Sequence, residues 1–253
     1  MKPSPIAELL NLSSPPVAIA FVDAPPRGMR RIETSEPAGC GYWKRAAEGE
    51  VFYTEADDHK RCPVGAHTHH VPLSRSEHEE LMSLVGTMVG LSYLKLEEVP
   101  EIPRRQTPMR VAVYGPLGAV PVPADVIIVR GEARQLMLLA EAARAAGVEG
   151  NGATMGRPTC AVLPQAINSA RTAASFGCVG NRVYTGAADS DGYFAIPGAK
   201  LQAVENALAT IVRANIELEK FHRARAAAQR PDSGASGSQL TCRVRRARAV
   251  VPG

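Results

Sequence analysis

Four of this chain's five cysteines form two pairs that lie far apart: Cys40 with Cys62, and Cys160 with Cys178. The pairs are spaced by 22 and 18 residues, and 98 separate Cys62 from Cys160. If the four thiols act together, the fold must bring distant segments to one place. Each sits beside glycine or proline, in Ala-Gly-Cys40-Gly-Tyr-Trp, Arg-Cys62-Pro-Val-Gly, Arg-Pro-Thr-Cys160 and Phe-Gly-Cys178-Val-Gly. A packing cysteine is usually embedded in an apolar run. These four read as loop positions, where backbone can wrap closely around a ligand.

No Cys-x-x-Cys occurs, so ferredoxin, zinc-ribbon and thioredoxin signatures are absent. A four-thiolate site would have to be assembled from four loops. Soft thiolates select zinc, copper(I) or iron–sulfur clusters. The neighbouring glycines suit a cluster, because nearby backbone N–H groups tune its potential. Inert buried thiols and thiol redox or nucleophilic catalysis are the alternative readings.

Charge separates the chain into two parts. Residues 223–253 carry seven arginines against one aspartate, a net +6, which leaves −2 for residues 1–222 out of a total of +4. Residues 229–253 read as an Arg-rich disordered tail, and 1–228 as a single domain. Aromatics are only 5% of the chain and Trp43 is the one tryptophan, which argues against a stacking platform for nucleic acid. An arginine arm for RNA remains a lesser reading of the tail. The start lacks a long apolar core and no run approaches eighteen apolar residues, so neither export nor a membrane span is expected. A reducing, cytoplasmic setting follows as the default, where clustered cysteines favour metal or catalytic use.

Strands alternate with helices, so the expected class is α/β or α+β: a mixed sheet with flanking helices and cysteine-bearing loops. Strands are expected at Val17–Val22, near Val51–Tyr53, at Arg110–Tyr114, Val126–Val129 and Gly192–Ile196. Ser76 and Glu79 have capping-box spacing before the stripe Leu81, Leu84, Val85, Met88, Val89. Further helices are expected near Tyr42–Glu48, over Glu132–Ala146 with Leu136, Leu139, Ala140 and Ala143 on one face, over Leu163–Ala174, and after Pro197-Gly198. The last carries Leu201, Val204, Leu208, Ile211, Val212, Leu218 and Phe221, and is the candidate homodimer helix. Two strand–helix units with cysteine-bearing loops hint at a duplication.

Other residues are candidates for chemistry. His59, His67, His69 and His70 gather around Cys62 and could ligate a metal or act as a base, although a solvated polar loop is the plainer reading. Asp57-Asp58-His59 reads as a solvated turn. Arg157 and Arg182 lie near Cys160 and Cys178 and could clamp a carboxylate or phosphate. Gly150–Gly156 is Gly-rich but lacks a P-loop ending.

Several ordered motifs resemble the uncharacterised family DUF169. They are Leu12-Ser-Ser-Pro-Pro-Val-Ala-Ile, Glu50-Val-Phe-Tyr-Thr, Cys62-Pro-Val-Gly-Ala, Pro123-Ala-Asp-Val-Ile-Ile-Val, Gly156-Arg-Pro-Thr-Cys160, Phe176-Gly-Cys178-Val-Gly-Asn-Arg182 and Tyr193-Phe-Ala-Ile-Pro197. The resemblance covers about residues 8–215. It implies a four-cysteine framework on Cys40, Cys62, Cys160 and Cys178, with Cys242 outside it. His67-Thr-His-His70 departs from the pattern.

The leading expectation is an iron–sulfur protein, with a [4Fe–4S] cluster on the four cysteines acting in redox or Lewis-acid chemistry. Its partner would be a small-molecule ligand or a redox protein, with Arg157 and Arg182 facing the ligand. A zinc-stabilised binding module is the first alternative. A cysteine-dependent enzyme, with Cys62 or Cys178 as nucleophile and His59 or His67 as base, is the second.

Overall fold

A computed structural model describes residues 4–150 and 158–228. The chain divides into two units, Met1–Ala214 and Asn215–Gly253. Arg157, most of the Gly-rich run before it, and the Arg-rich end with Cys242 lie outside the described residues.

The first unit opens with helix α1 (Pro5–Leu10), where Ser4 caps the Ala7 amide and Asn11 ends the helix in the left-handed region at φ 50°. Strand β1 (Val17–Val22) precedes α2 (Gly39–Ala47), β2 (Phe52–Glu55), α3 (Pro63–His69) and α4 (Arg75–Gly90). Strands β3 (Val111–Pro116) and β4 (Val126–Glu132) then lead to α5 (Ala133–Ala145). The chain continues through α6 (Val162–Ser169), β5 (Ala173–Ser175), α7 (Val179–Thr185), β6 (Asp191–Pro197) and α8 (Leu201–Ala228). The α8 helix continues into the second unit.

The strands form one sheet, ordered β2-β3-β1-β4-β6-β5, and every pair of named strands is antiparallel. The α/β composition matches the sequence expectation. Both sheet faces are covered, which explains why β1 and β4 are almost wholly apolar although antiparallel sheets often alternate. Val17, Ile19, Val126 and Ile128 point to one face, packed with Tyr42, Trp43, Ala66 and Leu163 from the cysteine-bearing helices. Ala18, Ile127, Val129, Phe194 and Ile196 point to the other, packed with Ile6, Leu139, Val204 and Leu208 from α1, α5 and α8.

The register shows an internal two-fold relation. In the central pair Val17 faces Ile128 and Ile19 faces Val126, a pairing that reads the same with β1 and β4 exchanged. Val17 faces Pro116 as Val126 faces Pro197, and Phe52 faces Tyr114 as Ala173 faces Ala195. Strands β1, β2 and β3 therefore correspond to β4, β5 and β6. The hinted duplication is present in the hydrogen-bond ladder.

Some local expectations are corrected. The capping box at α4 is Ser74 with Glu77, since Ser74 accepts from the Glu77 amide at 3.3 Å and its own N–H reaches the Glu77 carboxylate at 2.7 Å. The helix expected over Leu163–Ala174 stops at Ser169, because Ala170 turns at φ 52° and Ala173–Ser175 is drawn into the sheet by β6. On α5 the buried face is Leu138, Leu139, Ala142 and Ala143, while Ala140 is exposed. On α8 only the start of the stripe is core: Val204 and Leu208 are buried, whereas Leu218 and Phe221 are 56% and 59% exposed.

Candidate functional site

The four cysteines stand at helix starts, not in loops, and they do so in matching pairs. Cys62 is the N-cap of α3, with its sulfur accepting from the Gly65 amide at 3.3 Å. Cys178 is the N-cap of α7, with its sulfur accepting from the Asn181 amide at 3.5 Å. Both helices have seven residues and end on a left-handed residue, His70 or Gly186. Cys40 is the second residue of α2, and Cys160 is the second residue of a 3-10 turn, Thr159–Ala161, that runs into α6. Sulfur here takes the place of the oxygen that usually satisfies free first-turn N–H groups. The glycine and proline neighbours were a true signal, but of helix starts. Gly65 is needed for this, since a Cβ there would stand 3.1 Å from the Cys62 sulfur.

The tertiary fold brings the four together. Helix α2 packs against α7 and α3, and the 3-10 turn packs against both α2 and α3. Burial pushes the Cys40 thiol up to about 12; the Asn181 side chain opposes the rise, and the charges of Cys62 and Cys178 add to it. Cys160 is raised well above the ordinary thiol value by burial and by Cys62, opposed by the Thr68 hydroxyl, with Cys40 and Cys178 adding further. Each buried thiol is thus met by a polar group from the other half of the duplication: Cys40 by Asn181 of α7, and Cys160 by Thr68 of α3. Without a cation these two thiols stay protonated, because a buried thiolate beside others is costly.

Buried hydrogen-bonding groups without partners lie on the cysteine-bearing elements. Trp43 Nε1, on the helix of Cys40, and Thr159 Oγ1, on the turn of Cys160, are buried without a hydrogen-bond partner. Unmet buried polar atoms are uncommon and call for an occupant. Soft sulfur donors of this kind could ligate zinc, copper(I) or an iron–sulfur cluster. Among the described residues no group of three or more His, Cys, Asp or Glu side chains is placed to hold a metal ion. A shallow crevice opens on Cys40, lined also by Trp43, Lys44, Arg130, Thr185 and Tyr193.

The remaining candidates are placed differently from their sequence reading. The segment Asp57-Asp58-His59 is a 3-10 turn, and His59 is buried against Tyr42, not solvated. The polar run after Cys62 is helix α3, with His69 fully buried against Phe21 and His59, and His59 in turn against Tyr42 and Tyr114. Neither His59 nor His67 hydrogen-bonds a thiol: the bond of His59 is with Thr54 Oγ1, at 2.9 Å. Arg182 is turned to its own loop, donating to the carbonyls of Phe176, Ala188, Asp189 and Asp191, and so clamps the segment after Cys178. Arg157 lies outside the described residues. Asn181, which the sequence offered with Arg182 as a polar pair after Cys178, meets the Cys40 thiol. Sequence reasoning missed Thr68, Trp43 and Arg130; Arg130 comes from the sheet and had no signal.

No curated protein and no solved structure matches the chain. The family model of DUF169, described as uncharacterised ArCR, matches residues 5–207. The chain belongs to the DUF169 family.

Proposed function

We propose that the four cysteines hold an iron–sulfur cluster, [4Fe–4S] by donor count, and that the protein performs redox or Lewis-acid chemistry on a small molecule. The carrying observation is that four helix-start thiols from two related half-sites act on one another, with Trp43 Nε1 and Thr159 Oγ1 on the same elements left without partners. A bound cluster would supply electron storage or a Lewis-acidic iron.

The chain's own residues have definable tasks. Cys62 and Cys178 offer their sulfur while their caps hold it in place. Asn181 and Thr68 compensate the charge of Cys40 and Cys160. The crevice at Cys40 gives a small molecule a route past Lys44 and Arg130, whose charges favour an anionic group. Exposed Phe176, Val179 and Val183 flank Cys178, on the side from which a redox partner would approach.

The test is iron and sulfide analysis with a visible spectrum on protein purified without oxygen. About four iron and four sulfide per chain, with absorbance that bleaches on reduction, is the expected result. One zinc and no iron would turn the site into a structural one. Colourless, iron-free protein after attempted reconstitution would defeat the proposal.

A further inference from the structure

Beside the thiols lies a pair of buried imidazoles that the cysteine site does not use. His59 is 1% exposed and His69 is fully buried, and their ring centres stand 5.2 Å apart. Each ring has one nitrogen engaged and one without a partner. His69 Nδ1 donates to the Gly65 carbonyl at 2.7 Å, so its unpartnered Nε2 carries a lone pair. His59 Nε2 shares a hydrogen bond with Thr54 Oγ1 at 2.9 Å, which leaves His59 Nδ1 without a partner.

Both rings border one glycine. A Cβ built on Gly39 would stand 3.7 Å from His59 Nδ1 and 3.8 Å from His69 Cε1, so the missing side chain keeps space open between them. The surroundings are aromatic: Tyr42 lies 4.8 Å from the His59 ring centre and Phe21 5.9 Å from that of His69. Arg105 stacks over Phe21 at 3.8 Å, and its positive charge reaches His69. A histidine that gives one N–H to a carbonyl or hydroxyl and points the other nitrogen inward is arranged as a metal ligand is.

We infer that His59 and His69 form a two-nitrogen site for a low-charge transition-metal cation of the copper(I) class, distinct from the four thiols. Imidazole nitrogens suit copper, zinc, iron and nickel. The sealed surroundings select among these, with the nearby Arg105 guanidinium offset in part by Asp125, whose carboxylate accepts from the Phe21 amide at 2.6 Å. A divalent ion would bring two more positive charges into the interior, at a large desolvation cost. Copper(I) brings one, and two neutral donors complete its coordination. The site does not depend on what the cysteines hold.

The test is anaerobic titration of the full chain with copper(I) buffered by a chelator, read by X-ray absorption at the copper edge. Expected, in addition to any copper taken by the thiols, is one copper per chain with imidazole nitrogen in its first shell and imidazole outer-shell scattering. His59→Gln and His69→Gln should each weaken retention at least tenfold, while His78→Gln, on the exposed face of α4, leaves it unchanged. A sulfur-only first shell would overturn the assignment, as would zinc held at the pair while copper is excluded. A measurement on the metal-free wild-type chain covers the case in which the variants do not fold. A scalar coupling across a His59–His69 hydrogen bond would show that the two nitrogens satisfy each other, and no site exists.

Discussion

Cys62 and Cys178 fill positions that serine or threonine hold in most helices, and this separates their two roles. Cys62→Ser and Cys178→Ser keep an N-cap acceptor, so thermal stability should stay within about 1 kcal/mol of the parent. Iron content should nevertheless fall by at least half, which metal analysis alongside circular dichroism checks. Gly65→Ala acts by volume instead. Its Cβ meets the Cys62 sulfur at 3.1 Å, and we expect a loss of about 1–3 kcal/mol in denaturant unfolding together with lower iron retention. His69 governs acid stability. Burial holds it down to about 4 from an ordinary 6.5, so its stabilising effect is complete above pH 6.5 and is lost as pH falls through 4. In the metal-free chain this amounts to roughly 3 kcal/mol across that window, and His69→Gln should flatten the acid limb of the stability–pH curve. At this scale the sequence revealed which cysteines to watch. It did not reveal the paired imidazoles, because burial of His59 and His69 depends on aromatic rings contributed by three other segments.

At the scale of elements, periodicity located most helices and missed where they face. The stripe on α8 is continuous in sequence, but only Val204 and Leu208 are fully buried; Leu201, Ile211 and Val212 pack partly against the core, and Leu218 and Phe221 are exposed. The α5 face is wider than expected and rotated: Leu138 and Ala142 join Leu139 and Ala143 in the core, Leu136 packs at its edge, and Ala140 is exposed. Strand β5 was hidden in a helical pattern: three residues carry too little period to compete, and pairing with β6 decides them. Helix α6 anchors the second half-site through Leu163, which is fully buried under the sheet. Leu163→Ala should cost about 2–5 kcal/mol in chemical denaturation, and should lower iron retention by loosening the turn that carries Cys160. A cost below about 1 kcal/mol would show that α6 does not set that turn.

At the scale of the whole molecule, the two-fold relation explains why cysteines 98 residues apart can serve one site. Strands β1 and β4 lie at the centre, and the cysteine helices of both halves cover the same face. Each half supplies the polar group that meets the other's buried thiol, so neither half can complete the site alone. Residues 1–121 expressed without the remainder should stay unfolded in amide-exchange measurements. Co-expression with residues 122–253 should restore a folded, metal-retaining complex, and a stably folded half-chain on its own would refute this dependence.

The local chemistry of the chain determined the family, the α/β class, the central strands and the four thiols, because each rests on residue type and short-range period. Tertiary structure alone decided that the cysteine-bearing elements pack together, that the thiols start helices, that Asn181 and Thr68 meet two of them, and that His59 and His69 pair in the interior. The physical reason is that these relations are made across the β1–β4 pair, between segments whose separation in sequence carries no information about their separation in space.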